Sequence, residues 1–285
     1  MQHHRNHAHN QGGRHELGQN FLTDPQLIKT ICRLVDAEST GPIIELGAGD
    51  GALTTPLARL GRPLTALEID PGRARRLAES LGTSADVVRA DVLRYRFPEV
   101  PHAIVGNIPF HLTTAIMRRL LAERGWTFAA LIVQWEVARR RAGVGGASML
   151  TASWWPWYEF RLHQRIPAAS FRPVPSVDAG LLTMRRRHLP LIGTNDDQRE
   201  YQDFVRQVYQ SRGQGLVEML RQTGLVHPAD LRDWSRRHRI PPRALPKDLL
   251  AEDWAELWTL ACSTRSSTNS TNSTKRTPER KSAGR

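Results

Sequence analysis

The sequence predicts an α/β protein: a Rossmann-like, doubly wound, mostly parallel sheet followed by a small C-terminal all-α domain. Three observations predict it. Apolar runs of strand length alternate with stretches of helical period through roughly the first two thirds of the chain. A Gly-rich turn, Glu45-Leu46-Gly47-Ala48-Gly49-Asp50-Gly51, lies between the first such run and the next helical stretch. From Asp196 onward the apolar residues recur only at helical spacing.

Taken in order, residues 42–46 (Pro-Ile-Ile-Glu-Leu) read as a buried strand and 52–59 as a helix. Residues 64–68 form a second strand, with a helix following through Ala78. Strands at 87–90, 103–105 and 129–134 follow, with a helix at 113–121 before the last of them. Phe171-Arg172-Pro173-Val174-Pro175 punctuates the chain before a final strand at 179–184. Thr194 or Asn195 is a plausible cap for the first helix beyond. Phe204, Val208, Leu216 and Leu220 fit the apolar faces of two helices, and Trp254, Leu257, Trp258 and Ala261 that of a third. The expected organisation is a tail at 1–15, a ligand-binding α/β domain at 16–189, a helical domain at 190–262 and a tail at 263–285. Both tails are polar and without apolar period, so both are expected to be disordered. His3, His4, His7 and His9 fit that reading better than a metal site.

The net charge is +12, and the last 22 residues carry six Lys/Arg against one Glu. The folded body is therefore less basic than the whole, and a polyanionic partner is compatible with the balance. Lysine supplies only four of the forty basic residues, so guanidinium dominates. Cys32 and Cys262 match no disulfide or metal spacing and read as thiols of a reducing cytoplasm. No apolar run is long enough to span a membrane, and the N-terminus carries no secretory pattern.

A Gly-rich turn that follows a strand and opens a helix lets backbone approach a ligand closely. Glu68 ends the second strand, nineteen residues past Gly49, where a carboxylate can hold ribose hydroxyls. Asp91 ends the third strand and can accept from an adenine amino group. The blander alternative gives Asp91 a capping role and Glu68 a surface position. Asn107-Ile108-Pro109-Phe110 ends the fourth strand. An exocyclic adenine amine is a poor nucleophile, because its lone pair is delocalised into the ring. Two fixed acceptors, the Asn107 side-chain carbonyl and the Ile108 or Pro109 backbone carbonyl, would hold both amine protons and localise that lone pair. Phe110 would stack on a flipped base. By itself the tetrapeptide reads equally well as a strand ending in an Asx-Pro turn.

Together, 45–51, Glu68, Asp91 and 107–110 resemble the successive motifs of S-adenosylmethionine-dependent adenine N6-methyltransferases. Gly18-Gln19-Asn20-Phe21-Leu22 resembles the signature that opens the rRNA adenine dimethylase family. That family has KsgA-type 16S rRNA enzymes and Erm-type 23S rRNA enzymes. Gly-Gln-Asn in place of Gly-Gln-His, and Asn-Ile-Pro-Phe in place of Asn-Leu-Pro-Tyr, are similar to the Erm branch. Gln134-Trp135-Glu136-Val137-Ala138 and residues 154–160 resemble its actinobacterial members, and the resemblance spans about residues 14–260. It implies S-adenosylmethionine as cofactor, held by Asn20, Leu22, Gly47, Glu68, Asp91 and Asn107. It implies in-line methyl transfer to the macrolide-site adenine of 23S rRNA, before or during large-subunit assembly, and macrolide, lincosamide and streptogramin B resistance. A cytoplasmic monomer with no metal and no membrane contact is expected. The rival readings are a 16S rRNA dimethylase and a non-catalytic RNA-binding assembly factor on the same fold.

Arg139, Arg140 and Arg141, and Arg185, Arg186 and Arg187, are the candidate phosphate contacts, with residues 236–239 a third basic cluster. A charge run is as often a solvated face. Trp154, Trp155 and Trp157 fit core packing between sheet and helical domain better than base stacking.

Overall fold

The computed structural model describes residues 20–193 and 197–273, with side chains as far as Ser266 in the last helix. The N-terminal tail, Gly18, Gln19, the cap expected at Thr194 or Asn195 and the end of the basic tail lie outside the described residues. By its internal contacts the chain divides into two compact units. One is Met1–Ala138 with His163–Thr183, and the other is Arg139–Leu162 with Met184–Arg285.

In chain order the first elements are β1 (Phe21–Leu22), α1 (Pro25–Glu38), β2 (Ile43–Leu46), α2 (Thr54–Ala58), β3 (Leu64–Glu68), α3 (Pro71–Leu81) and β4 (Asp86–Arg89). There follow β5 (His102–Asn107), α4 (Thr113–Ala122), β6 (Trp126–Gln134), α5 (Trp135–Arg141), α6 (Met149–Trp154), β7 (Tyr158–Ile166), β8 (Phe171–Arg172) and β9 (Ala179–Arg186). Sequence logic is visible at the helix starts. The Asp24 carboxylate accepts from the N–H groups of Gln26 and Leu27, and Pro25 takes the first helical position of α1. Asp70 and Pro71 repeat the device at α3. Leu27, Ile31 and Val35 then form the buried stripe of α1.

Seven strands make one sheet in the order β4-β3-β2-β5-β6-β9-β7, while β1 pairs antiparallel with β8. The pairs β2–β3, β3–β4, β2–β5 and β5–β6 are all parallel. Every residue of β2, and His102–Gly106 of β5, is buried, as strands covered on both faces require. The chain winds outward from β2 through β3 to β4, then returns to β5 on the other flank. The strand order therefore switches between β2 and β5, which is where doubly wound sheets bind ligands.

The second unit holds α6, the first part of β7, the end of β9, and α7 (Gln198–Gln210), α8 (Leu216–Thr223), α9 (Pro228–Arg237) and α10 (Ala251–Ser273). The boundary expected near residue 190 thus differs from the division by contacts, which also gives residues 139–162 to the helices. The reason is aromatic packing. Trp157 lies edge-on to Tyr201, which in turn lies edge-on to Trp258. Phe204 meets Trp254, and the Tyr201 hydroxyl donates to the Ala152 carbonyl at 2.9 Å. Trp155 and Trp157 are buried, as core packing predicts. The tail expected from 263 is helical as far as Ser273. Ser263, Thr264 and Ser266 donate to carbonyls four residues back, and Arg265 lies over Trp258 while paired with Glu200 at 2.7 Å.

Trp254 is fully buried between Phe204 and the stacked Tyr209. Its replacement by Ala should destabilise the protein by about 3–5 kcal/mol, measured as the shift in urea-unfolding free energy followed by circular dichroism.

Candidate active site

The site begins at the β2–β5 pair, in which Leu46 is in register with Gly106. A Cβ at Gly106 would lie 3.0 Å from both Cβ and O of Leu46 and 2.9 Å from the Ile108 side chain. Glycine there lets the strands meet at this level, so that Gly47 and Asn107 leave the sheet edge side by side. Gly47 has φ +70°, and a Cβ built on it would meet nothing within 4 Å. Its bare α-carbon faces open space.

That space is two clefts within the first unit. One is lined by Asn20, Leu22, Glu45, Asp50, Asn107 and Phe110 among others. The second is lined by Glu68 and Asp91 with the apolar side chains of Ile69, Val92 and Leu112. Gly47, Ile108 and Pro109 border both. An elongated ligand with a charged end and a flat apolar end fits the pair. All six residues expected at a cofactor, and all four of the tetrapeptide, are brought to these walls.

Glu68 is not a surface residue: it is 2% exposed. Its Oε2 accepts from the Gly49 N–H at 2.7 Å and its Oε1 from the Asp70 N–H at 2.8 Å. The carboxylate therefore locks the Gly-rich turn to the start of α3, and each oxygen retains a lone pair for a ligand hydroxyl. Asp91 accepts from the Leu93 N–H at 2.9 Å and borders the second cleft, so its capping and ligand-facing positions coincide. Asn107 donates from Nδ2 to the Asn20 backbone carbonyl at 2.6 Å. With the amide nitrogen so engaged, Oδ1 is the group that an amine can address. The Pro109 carbonyl accepts from the Leu112 N–H at 2.9 Å, which leaves the Ile108 carbonyl as the better second acceptor.

One wall residue was not singled out in the sequence. Glu45 stands in an otherwise apolar buried strand, and its Oε2 has no hydrogen-bond partner among the described residues. Burial pushes its carboxyl up to about 8, with the Thr54 hydroxyl opposing the shift and the Glu68 carboxylate adding to it. An orphaned buried carboxyl on a cleft wall suits a cationic ligand group. A carboxylate in the middle of an apolar strand was the available signal. The entry strap is also stapled. Arg73 lies 4.5 Å over the Phe21 ring and pairs with Asp50 at 3.6 Å. Among the described residues, no group of three or more His, Cys, Asp or Glu side chains is placed to hold a metal.

The six candidate phosphate contacts fare unequally. Arg187 is largely buried, bonded to Glu159 at 3.1 Å and to the Trp155 carbonyl at 3.1 Å. Arg186 packs over Tyr158, and Arg141 bonds Ser148. Arg140 is exposed, and Arg139 and Arg185 are half-buried. In the third cluster, Arg237 and His238 are tied to Glu256.

The Glu45 carboxyl supplies a pH signature. In the unfolded chain it ionises near 4.5, so between there and about 8 the folded protein holds a proton that the unfolded chain has released. Its contribution to stability is complete at the acid end and is lost as pH rises through that window. The parent should lose up to about 1.4 kcal/mol per pH unit in the steep part, and Glu45→Gln should flatten the profile. Parallel unfolding-energy profiles for the two proteins across that range would refute the assignment.

Comparison with known proteins follows the same lines. Residues 10–261 match the family model described as ribosomal RNA adenine dimethylase. The chain is 50% identical over 251 residues to the mycinamicin-resistance protein MyrB of Micromonospora griseorubida, covering 87% of this chain and 79% of that protein. It is also 50% identical over 216 residues to an rRNA adenine N-6-methyltransferase of Corynebacterium diphtheriae, covering 75% of this chain and 85% of the relative. The crystal structure of the 23S rRNA methyltransferase ErmE superposes with a TM-score of 0.78 at 30% identity, covering 85% of this chain and all (100%) of that one. The fold, the two clefts and the Asn107 turn thus belong to a member of the ribosomal RNA adenine dimethylase family.

Proposed function

We propose that this chain is an Erm-type enzyme that methylates N6 of the macrolide-site adenine in the peptidyl-transferase loop of 23S rRNA, using S-adenosylmethionine. The resulting phenotype is macrolide, lincosamide and streptogramin B resistance. The observation that carries the reading is Asn107, clamped through Nδ2 by the Asn20 carbonyl where the two clefts meet. The names of MyrB and ErmE support the 23S target and the resistance phenotype.

The cofactor supplies, when bound, an electrophilic methyl group on a sulfonium. Asn20, Leu22 and Glu45 would hold its amino-acid end, with the orphaned Glu45 carboxyl facing the ammonium. Glu68 would take the ribose hydroxyls and Asp91 the ring amine, in the second cleft. Asn107 Oδ1 and the Ile108 carbonyl accept the two amine protons of the flipped target. The nitrogen lone pair is then turned toward the methyl carbon, and Phe110 presents its ring to the base. The bound cofactor would supply its methyl carbon in line with that lone pair, leaving as the thioether, and the methylated nitrogen would give its proton to water. Alignment does the work, and no strong base is needed. Arg140, with Arg139 and Arg185, is assigned to RNA phosphates, and the enzyme would act as a monomer on 23S rRNA before or during subunit assembly in the cytoplasm.

Two measurements test the reading. With labelled cofactor, protein-free 23S rRNA should be labelled, with primer extension arrested at the macrolide-site adenine, while immature small subunits and duplex DNA remain unlabelled. Label confined to small subunits would place the chain with the 16S enzymes instead. In the same assay Asn107→Ala should lower kcat by about a hundredfold or more while retaining the fold. A variant that methylates at the parent rate would remove Asn107 from the mechanism.

A further inference from the structure

A third cavity of the first unit is used by nothing above. It opens beyond the carboxyl end of β6, where Gln134, Trp135, Glu136, Arg165, Val177 and Asp178 line it. β6 is the neighbour of β5, with Ile132 in register with Asn107. Gln134 and Trp135 therefore leave the sheet at the same edge as the catalytic turn. The walls are fixed by short bonds. The Trp135 N–H donates to the Asp178 carbonyl at 2.9 Å, and the Arg165 guanidinium bonds the Asp178 carboxylate at 2.7 Å. The other oxygen of Asp178 accepts from the Ala168 N–H at 2.9 Å. The Ala168 N–H and the Arg165 guanidinium hold the Asp178 carboxyl below the usual range. Arg165 lies 5.4 Å from the centre of the Trp135 ring.

An indole braced by a guanidinium is a flat, polarisable surface of the kind on which unpaired bases stack. The charge on the walls argues against a phosphate occupant. The lining holds one guanidinium, already paired with Asp178, and two carboxylates, Asp178 and Glu136. Carboxylates accept hydrogen bonds and never donate when ionised, so they favour a ligand edge that carries ring N–H and amino donors. Neither Trp135 nor Glu136 borders the two clefts assigned to the cofactor.

We infer that this cavity receives an unpaired nucleobase of the RNA next to the adenine being methylated. The base stacks on Trp135, and Glu136 accepts from the ring N–H and amino group of a guanine-type edge. Trp135 and Glu136 are then specificity-determining residues for flanking sequence, an assignment that rests on the RNA-adenine reading of the Asn107 site.

The test is steady-state methyl transfer to 23S rRNA by the full chain and by Trp135→Ala, Trp135→Phe and Glu136→Gln. Each enzyme is also given RNAs substituted at the nucleotides flanking the methylated adenine. Trp135→Ala should raise KM for RNA roughly five- to a hundredfold, as loss of one stacked base predicts, with cofactor affinity and Tm unchanged. Trp135→Phe should restore most of that loss, and Glu136→Gln should lose discrimination at one flanking position. A parent-like KM in Trp135→Ala, no rescue by Phe, or full discrimination retained by Glu136→Gln overturns the inference. If the Ala variant does not fold, the Phe and Gln variants and the substituted RNAs decide the matter. If the parent binds cofactor but labels no rRNA, the reading of the Asn107 site fails and the subsite falls with it. An active parent with indifferent variants removes the subsite alone.

Discussion

β2 and β5 lie side by side with Leu46 opposite Gly106, and that register places the Gly47 turn beside the Asn107 turn. A one-residue slip would turn each side chain to the other face of the sheet, so the buried runs Ile43–Leu46 and His102–Gly106 fix the chemistry as well as the core. Gly106 permits the approach, and Glu68 secures its consequences. By accepting from Gly49 and Asp70, the buried carboxylate ties the turn after β2 to the helix after β3. The turn cannot shift without breaking charge-assisted bonds inside the protein, where such bonds are strong and an unpaired carboxylate is costly.

The strap at Asn20–Leu22 completes the arrangement from far away in sequence. Phe21 and Leu22 pair with Arg172 and Phe171, and Asn107 reaches the Asn20 carbonyl across 87 residues. One hydrogen bond therefore links the piece of chain that closes the first cleft to the side chain that would orient the target amine. Cofactor and substrate positions are coupled through an amide that has only one sensible orientation, with nitrogen toward a carbonyl and oxygen toward the substrate.

Much of this arrangement is legible in the amino-acid sequence alone. β2, β3, β5, β6 and β9 announce themselves as short apolar runs, because strands covered on both faces have no polar alternation to hide in. Asn107 and the strand-end acids sit where those runs stop. What the residues could not show depends on distant partners. β1 and β8 are two residues each and exist only through each other. The helix at Pro25–Glu38 carried a readable start signal in Asp24-Pro25 that the periodicity reading passed over. The extent of the second unit was hidden because its limit is set by Trp157 meeting Tyr201, not by composition. Arg187 looked like a surface cation until Glu159 and the Trp155 carbonyl enclosed it. The choice between the Ile108 and Pro109 carbonyls required knowing that Leu112 takes the latter.

The carboxylates of the site also carry an argument about charge. Glu45 is buried, and its carboxyl is held up to about 8 in part by the neighbouring Glu68. Near neutrality burial therefore keeps Glu45 mostly protonated, which spares the protein a second buried negative charge. A ligand bearing a cation beside Glu45 reverses that balance, because ionisation becomes favourable once the charge is paired. A neutral ligand of the same shape gains nothing from Glu45 and meets only its desolvated hydroxyl. Transfer of a methyl group from a sulfonium removes one positive charge from the occupant of the clefts. The ammonium proposed to face Glu45 is untouched by that transfer, so Glu45 would grip the amino-acid end of donor and product alike.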